Sequence, residues 1–290
     1  MAVRNIILHA GLSLMLLIAA LPQGSAQYFE NYNPNDDFFR QEIKTIDEFM
    51  ERFDAWPESQ ICITYAKSNK GRSIPRNMLL VSIFNLENSS FTDKDSKTKE
   101  FFHDILDKTS PVYINFNDTN WYAEAHALFL NNGKLEEIPV VFHVISQGTE
   151  WSKWMIAGIG KPAASKEHMP SVSLKKVNSP AQQFISSSAY ATNFAELHYL
   201  FTDKMQPAFY FDQQLIATPS GKQFIDKIKN GQLKFQYVKS ITFHFYQAKG
   251  WIFTVDQFHR KSFNSGWLIS NILKTTPSEK LVARKILLNR

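Results

Sequence analysis

The chain has 290 residues, of which 44% are hydrophobic and 20% are charged, and its formal net charge is +5. This composition excludes an intrinsically disordered protein, and the length suits one large domain or two of ordinary size. The single cysteine, Cys62, excludes an internal disulfide. Because Cys62 lies between two isoleucines, we expect a buried structural thiol and not a reactive one.

The first 26 residues have the pattern of a secretory signal peptide. Arg4 supplies a positive charge, an apolar run covers residues 6–21, and small residues precede a cleavage position after Ala26. We interpret residues 1–26 as a signal peptide and residues 27–40 as an extended leader. No later stretch approaches the ~20 apolar residues that a membrane-spanning helix needs. The prediction is an exported protein of the periplasm or extracellular space, with no transmembrane span after cleavage.

Residues 41–162 are predicted to form a first α+β unit that begins with helices. Thr45, with a glutamate three residues later, has the spacing of a capping box, and the helix is expected to end at Pro57. Residues 61–65 are a short strand candidate. A second helix is predicted to begin at Asp95, since apolar residues recur at helical spacing behind it.

The same unit is predicted to continue with antiparallel strands. Residues 121–130 alternate between two faces, which is typical of a half-buried strand. Three alanines share one of these faces, which indicates that another element packs closely there. Asn132-Gly133 predicts a type I′ hairpin, followed by strands over residues 138–146 and 151–159.

A linker and a second α+β unit are predicted next. Residues 163–189 are rich in Lys, Ser and Pro, with little periodicity, and are interpreted as a linker. Residues 190–274 are predicted to form the second unit, with Asn193 and Ser220 as the N-caps of two helices. Its three strands are expected over residues 235–247, 251–260 and 265–273.

Residues 275–290 are predicted to form a basic C-terminal helix. Thr276-Pro277-Ser278-Glu279 combines an N-cap, a proline at the first helical position and a glutamate at the third. We expect folding to tolerate removal of this helix. Its small apolar side is expected to consist of Leu281, Val282, Ile286 and Leu288.

The two predicted units correspond to one another in sequence. Residues 222–228 (KQFIDKI) match residues 99–105 (KEFFHDI), and the strands of each unit close on a tryptophan, Trp154 and Trp267. The order of helix, connector, helix and antiparallel strands resembles the nuclear transport factor 2-like, or ketosteroid-isomerase-like, superfamily. A cystatin-like arrangement fits nearly as well. The resemblance implies an α+β fold of two tandem units, each with helices packed on a curved, cone-like antiparallel sheet.

Two groups of polar residues are candidates for a pocket. Tyr122, Glu124 and His126 alternate along one predicted strand, so an acid, a base and a phenol share one face. The polar side of a half-buried sheet has the same appearance. No catalytic role is assigned to any of them.

The second group lies in the predicted second unit. His244 and Tyr246 face the same way, and Asp256 follows on the next strand. If Tyr246 pairs with Ile252, His244 lies opposite Thr254 and diagonal to Asp256. A contact between His244 and Asp256 is then within reach.

Several function classes lack their sequence signatures. The chain has no His-Glu-x-x-His, no cysteine pair, no Gly-x-Ser-x-Gly, no phosphate-binding loop and no dinucleotide fingerprint. We therefore predict no metal and no cofactor. A basic stripe interleaved with aromatic residues is also absent, so nucleic acid is not an expected partner.

These observations leave two hypotheses for function. The first is an exported non-enzymatic binding or assembly module of the bacterial envelope or the extracellular space, with a protein partner or a small hydrophobic ligand. The second is a small-molecule-binding protein or an enzyme that uses a pocket in one of the two units. A closed apolar interior favours the first, whereas a cavity of several hundred Å³ lined by the candidate polar groups favours the second.

Overall fold

The computed structural model describes most of the chain after the N-terminal region. The described residues are 39, 42–92, 94–147, 151–161, 163–164, 184–202, 204–260 and 264–289. The predicted signal peptide of residues 1–26 lies outside them. The predicted leader of residues 27–40 also lies outside them, apart from Phe39.

The described residues form helices and strands in the following order. The helices are α1 (Ile46–Asp54), α2 (Gln60–Ser68), α3 (Arg76–Ser82), α4 (Ser96–Ile105), α5 (Leu197–Leu200), α6 (Pro207–Tyr210), α7 (Gln213–Ala217), α8 (Pro219–Lys229) and α9 (Pro277–Leu287). The strands are β1 (Trp121–Asn131), β2 (Lys134–Gln147), β3 (Trp151–Ile159), β4 (Ala163–Ala164), β5 (Ile185–Ser186), β6 (Leu233–Phe245), β7 (Trp251–Phe258) and β8 (Gly266–Lys274).

All of these strands belong to one antiparallel sheet. The strand order is β5-β3-β2-β1-β6-β7-β8, and β4 pairs with β2 in addition. The fold is therefore α+β, as the sequence predicts. It does not confirm two tandem units, because β1 and β6, one from each predicted unit, pair along their whole length from Trp121↔Phe245 to Asn131↔Leu233. The short strands β4 and β5 lie within the range interpreted as a linker.

The inner face of the sheet packs against helices through aromatic rings. Phe53 of α1 stacks on Phe253 of β7 with 5.4 Å between ring centroids, and Phe224 of α8 meets Phe129 of β1 edge-on at 5.6 Å. The three alanines of β1 are fully buried in the same core. Each fully buried Phe stabilises the fold by roughly 1.5–3 kcal/mol relative to an exposed one. The core therefore runs without a break across both halves of the chain.

Local capping and turn signals predict the structure well. The side chains of Thr45, Asp95 and Thr276 each accept a hydrogen bond from the backbone amide three residues later, as the N-caps of α1, α4 and α9. Asn132 and Gly133 both have positive φ, as a type I′ turn between β1 and β2 requires. Each of these signals involves residues that are at most four positions apart in sequence, so long-range packing does not alter them.

Other helix limits differ from the sequence-based expectations. α1 ends at Asp54 and not at Pro57, because Ala55 takes the left-handed conformation that closes a helix. Ser220 is not a cap, since the side chain of Thr218 accepts from the backbone amide of Gly221 and α8 begins two residues earlier than expected. Asn193 is not an N-cap: its φ is positive, it closes a 3-10 helix over Ala189–Thr192, and α5 begins only at Leu197.

The strand expected over residues 61–65 is wrong. These residues lie in α2, whose N-cap Ser59 accepts from the backbone amide of Cys62 at 3.4 Å. Ile61 packs in a small separate core with Phe39, Ile74 and Leu79, and Cys62 is only partly buried at its edge. A short apolar run fits helix or strand equally well, and the serine before it was the signal for a helix.

The C-terminal helix α9 lies on the outer face of the sheet, opposite the main core. The side that faces the sheet carries Lys280, Ala283, Arg284, Leu287 and Leu288. Three residues of the expected apolar side instead point outward: Leu281, Val282 and Ile286 are 52%, 57% and 74% exposed. Only Leu288 of that set is buried.

The helix takes this orientation because the surface beneath its first turn is polar. The Lys280 ammonium group donates to the backbone carbonyls of Tyr246, at 2.7 Å, and of Ala248. An apolar side chain at the same position would leave these carbonyls without that donor. Across the described parts of the chain, we find no helix with the length and hydrophobicity to cross a membrane.

Candidate functional site

The polar residues of β1 lie on the outer face of the sheet. Tyr122, Glu124 and His126 alternate with the buried alanines, as predicted from the sequence. The register places Tyr122 opposite His143 of β2 on one side and opposite His244 of β6 on the other. The pairing of β1 with β6 therefore brings together the candidate groups of the two predicted units.

Glu124 and His244 form the closest contact between these groups. Their Oε2 and Nε2 atoms are 3.0 Å apart, and both side chains are largely buried. The hydrogen bond from His244 lowers the pKa of Glu124, although partial burial acts in the opposite direction. Because an ionised carboxylate can only accept, Nε2 of His244 carries the hydrogen, and Nδ1 is the acceptor in the neutral ring. The pair therefore presents an ionised carboxylate held by an oriented imidazole.

Tyr246 follows β6 and stands beside this pair. Its ring meets that of Tyr122 edge-on, with 5.4 Å between centroids. Burial raises the pKa of Tyr246 to about 12, and the neighbouring Tyr122 is the next-largest cause of the increase. The hydroxyl of Tyr246 is therefore a hydrogen-bond donor at neutral pH and not a phenolate.

Helix α9 covers these side chains on the outer face of the sheet. Leu288 is buried against Tyr122, Val141 and Ala157 of the sheet. Gly158 allows this approach, because a Cβ at that position would lie 3.0 Å from Cα of Leu288. The last turn is tied to β3 by the Asn289 side-chain amide, which donates to the carbonyl of Ile159. Together with the bonds from Lys280, these contacts fix both ends of α9 on the sheet.

An open cleft of about 580 Å³ lies between the sheet and one side of α9, and we call it the sheet cleft. Glu124, His244 and Tyr246 contribute its polar groups. Its remaining lining is largely apolar, with a lysine and an asparagine at its margin: Pro139, Gly160, Lys161, Ala283, Ile286, Leu287 and Asn289. A volume of this size accommodates a small organic molecule.

The other candidate residues lie outside the sheet cleft. His126 contacts Glu137 of β2, with 2.8 Å between Nδ1 and Oε1. His244 lies opposite Thr254, as predicted, but Asp256 accepts a hydrogen bond from Thr242 and not from His244. The expected contact between His244 and Asp256 is therefore replaced by the contact between His244 and Glu124.

The further polar residues on this face of the sheet were not identified from the sequence. They are His143 of β2 and Arg284 and Lys285 of α9. His143 has Nε2 at 3.3 Å from Oδ2 of Asp212. Arg284 and Lys285 of α9 line a neighbouring cleft with these two residues. The i, i+4 spacing of Lys280 and Arg284 was the available signal that α9 has a basic side, but the sequence did not show that this side faces the sheet.

Comparisons of the chain with protein-family models, with curated protein sequences and with solved structures give no match. In the portion of the chain that the structure describes, no group of three or more His, Cys, Asp or Glu side chains is placed to hold a metal ion.

Proposed function

We propose that the chain is a non-enzymatic binding protein for a small, mostly apolar molecule that carries one polar group, a hydroxyl or a carbonyl. The observation that supports this most directly is the sheet cleft of about 580 Å³ with Glu124, His244 and Tyr246 in its lining. The sequence-based expectation for a small-molecule site was a cavity of several hundred Å³ lined by the candidate polar groups, and three of those six residues line this cleft. The assembly role considered from the sequence stays a prediction.

The chemistry of the lining indicates the class of ligand. The Tyr246 hydroxyl can donate to a ligand oxygen, and the ionised Glu124 carboxylate can accept from a ligand hydroxyl. Pro139, Ala283 and Leu287 offer apolar contact area to the rest of the molecule. A ligand of this class would lose little hydration free energy, because its one polar group stays hydrogen-bonded.

We propose further that binding takes place outside the cytoplasm. The support is the signal-peptide pattern of residues 1–26, which lie outside the described residues. N-terminal sequencing of the protein recovered from an exporting host should begin at Gln27. A protein retained in the cytoplasm with an intact N-terminus would contradict the proposal.

A thermal-shift screen tests the binding proposal. The panel consists of apolar alcohols, phenols and ketones, and the compounds that raise the melting temperature are titrated calorimetrically. Tyr246→Phe removes one donor from the sheet cleft without changing its shape. Loss of one hydrogen bond costs about 1 kcal/mol, so the affinity should fall about fivefold. His244→Gln should weaken binding in the same direction.

His126→Gln is the matched control, since His126 lies on the same sheet face but outside the sheet cleft. It should bind the compounds with the wild-type affinity. The proposal is wrong if no compound of the panel raises the melting temperature, or if His126→Gln and His244→Gln weaken binding equally.

A further inference from the structure

A second open cleft lies on the other side of α9, and we call it the basic cleft. It measures about 550 Å³. Arg284 and Lys285 of α9 form one wall with Leu288, which directly follows the helix, and Tyr122, His143 and Ala157 form the floor. Asp212 and Gln214, at the start of α7, complete the lining. The two clefts share no lining residue.

The charges in the basic cleft do not cancel. Arg284 and Lys285 contribute two positive charges and Asp212 one negative charge, so the formal sum is +1 with His143 neutral. Asp212 is already engaged: its Oδ1 accepts from the backbone amide of Gln214 at 2.7 Å, and its Oδ2 lies 3.3 Å from Nε2 of His143. Its charge is therefore shared with groups other than the two cations.

Arg284 has the geometry of a ligand-binding group. Its side chain is partly buried and lines the basic cleft together with Tyr122 and His143 of the sheet. Among the residues that the structure describes, no side chain or carbonyl forms a hydrogen bond or an ion pair with the guanidinium of Arg284 or the ammonium of Lys285. A partly desolvated guanidinium is costly without an acceptor, and its planar fork matches the oxygens of a carboxylate or a phosphate.

We propose that the basic cleft binds a small oxyanion, a carboxylate or a phosphate monoester, with Arg284 as the principal ligand. Lys285 adds a second positive charge at the rim. The imidazole of His143 lies on the floor of the same cleft. This site is independent of the sheet cleft, because none of Glu124, His244 and Tyr246 lines it.

Titration of the full protein with defined anions tests the proposal. Methyl phosphate and succinate are the two probes, each titrated calorimetrically at constant ionic strength with chloride as the balancing anion. One of them should bind saturably, and the tighter of the two identifies the phosphate or the carboxylate as the recognised group. Arg284→Gln should weaken that binding at least tenfold, and Lys285→Gln should weaken it by a smaller factor.

Lys249→Gln is the control, because it removes one positive charge from an exposed turn outside the basic cleft. It should leave the affinity for the anion unchanged. If Arg284→Gln does not fold, Arg284→Lys is used instead. It keeps the positive charge but lacks the planar guanidinium, so it should still weaken binding. Equal weakening by Lys249→Gln and Arg284→Gln, or no saturable binding of either probe, would overturn the proposal. Tyr246→Phe should not affect anion binding, so failure of the apolar site and failure of the anion site are distinguishable.

Discussion

At the residue scale, burial of the ionised Asp54 carboxylate lowers the stability of the folded protein at neutral pH. Burial raises the pKa of Asp54 to about 6, although the Ile114 amide donates to it and the Arg76 guanidinium lies nearby, and both of these lower it. Arg76 itself lies over Tyr113, 4.3 Å from the ring centroid, and donates to the carbonyl of Phe53. Asp54 therefore belongs to the junction between the end of α1 and the loop before β1.

The raised pKa of Asp54 predicts a specific pH dependence. Because its folded-state pKa lies above its ordinary value of 3.8, the folded state binds a proton more tightly than the unfolded state between those two values. Protonation of Asp54 should therefore increase the free energy of unfolding by about 2 kcal/mol as the pH falls from 7 to 4.5. Urea unfolding of the wild type and of Asp54→Asn at both pH values measures this. The difference between the two proteins should move by that amount in favour of the wild type, and an unchanged difference would contradict it.

At the element scale, α9 shows which part of a helix can be predicted from sequence. The start at Thr276 was predictable because a capping box is local. The orientation was not, since the apolar spacing of Leu281 and Ile286 suggested one face while the carbonyls of Tyr246 and Ala248 select another. A helix over a polar surface turns its lysine and arginine stems inward. The sequence alone does not contain that surface.

The contacts of α9 also change what is expected when it is altered. Leu288 is 8% exposed and packs on Tyr122 and Val141, so Leu288→Ala should lower the free energy of unfolding by about 2–3 kcal/mol. Leu281→Ala, on the outward side of the same helix, should change it by less than about 0.5 kcal/mol. Chemical denaturation of the two variants provides the comparison. Equal effects would mean that α9 does not pack on the sheet, and removal of residues 276–290 would then be tolerated, as the sequence first suggested.

At the scale of the whole molecule, the continuous sheet predicts how the protein unfolds. The β1–β6 pairing joins the strands of both predicted units, and one aromatic core extends beneath them. Two separate units would unfold in two steps, whereas one shared core should unfold in one. Differential scanning calorimetry should give a single transition with equal calorimetric and van't Hoff enthalpies. Two resolved transitions would contradict the shared core.

Most helices and strands could be predicted from the sequence, but the site could not. The pairing of β1 with β6 is the reason. The alternation of β1 and the turn at Asn132-Gly133 follow from neighbouring residues. Glu124 and His244 are 120 residues apart, and nothing within either strand specifies that the two strands are neighbours. The internal sequence repeat favoured two separate sheets, each with its own pocket. The resemblance to the nuclear transport factor 2-like superfamily stays a prediction.

The most direct test of the account is a double-mutant cycle on Glu124 and His244. Free energies of unfolding are measured for the wild type, for Glu124→Gln, for His244→Gln and for the double variant. A hydrogen bond between an ionised carboxylate and an imidazole predicts a coupling energy of about 1–2 kcal/mol. The matched cycle on His244 and Asp256, with Asp256→Asn, should give less than about 0.5 kcal/mol, because the structure pairs Asp256 with Thr242. Coupling between His244 and Asp256, with none between Glu124 and His244, would contradict a site built from both halves of the chain.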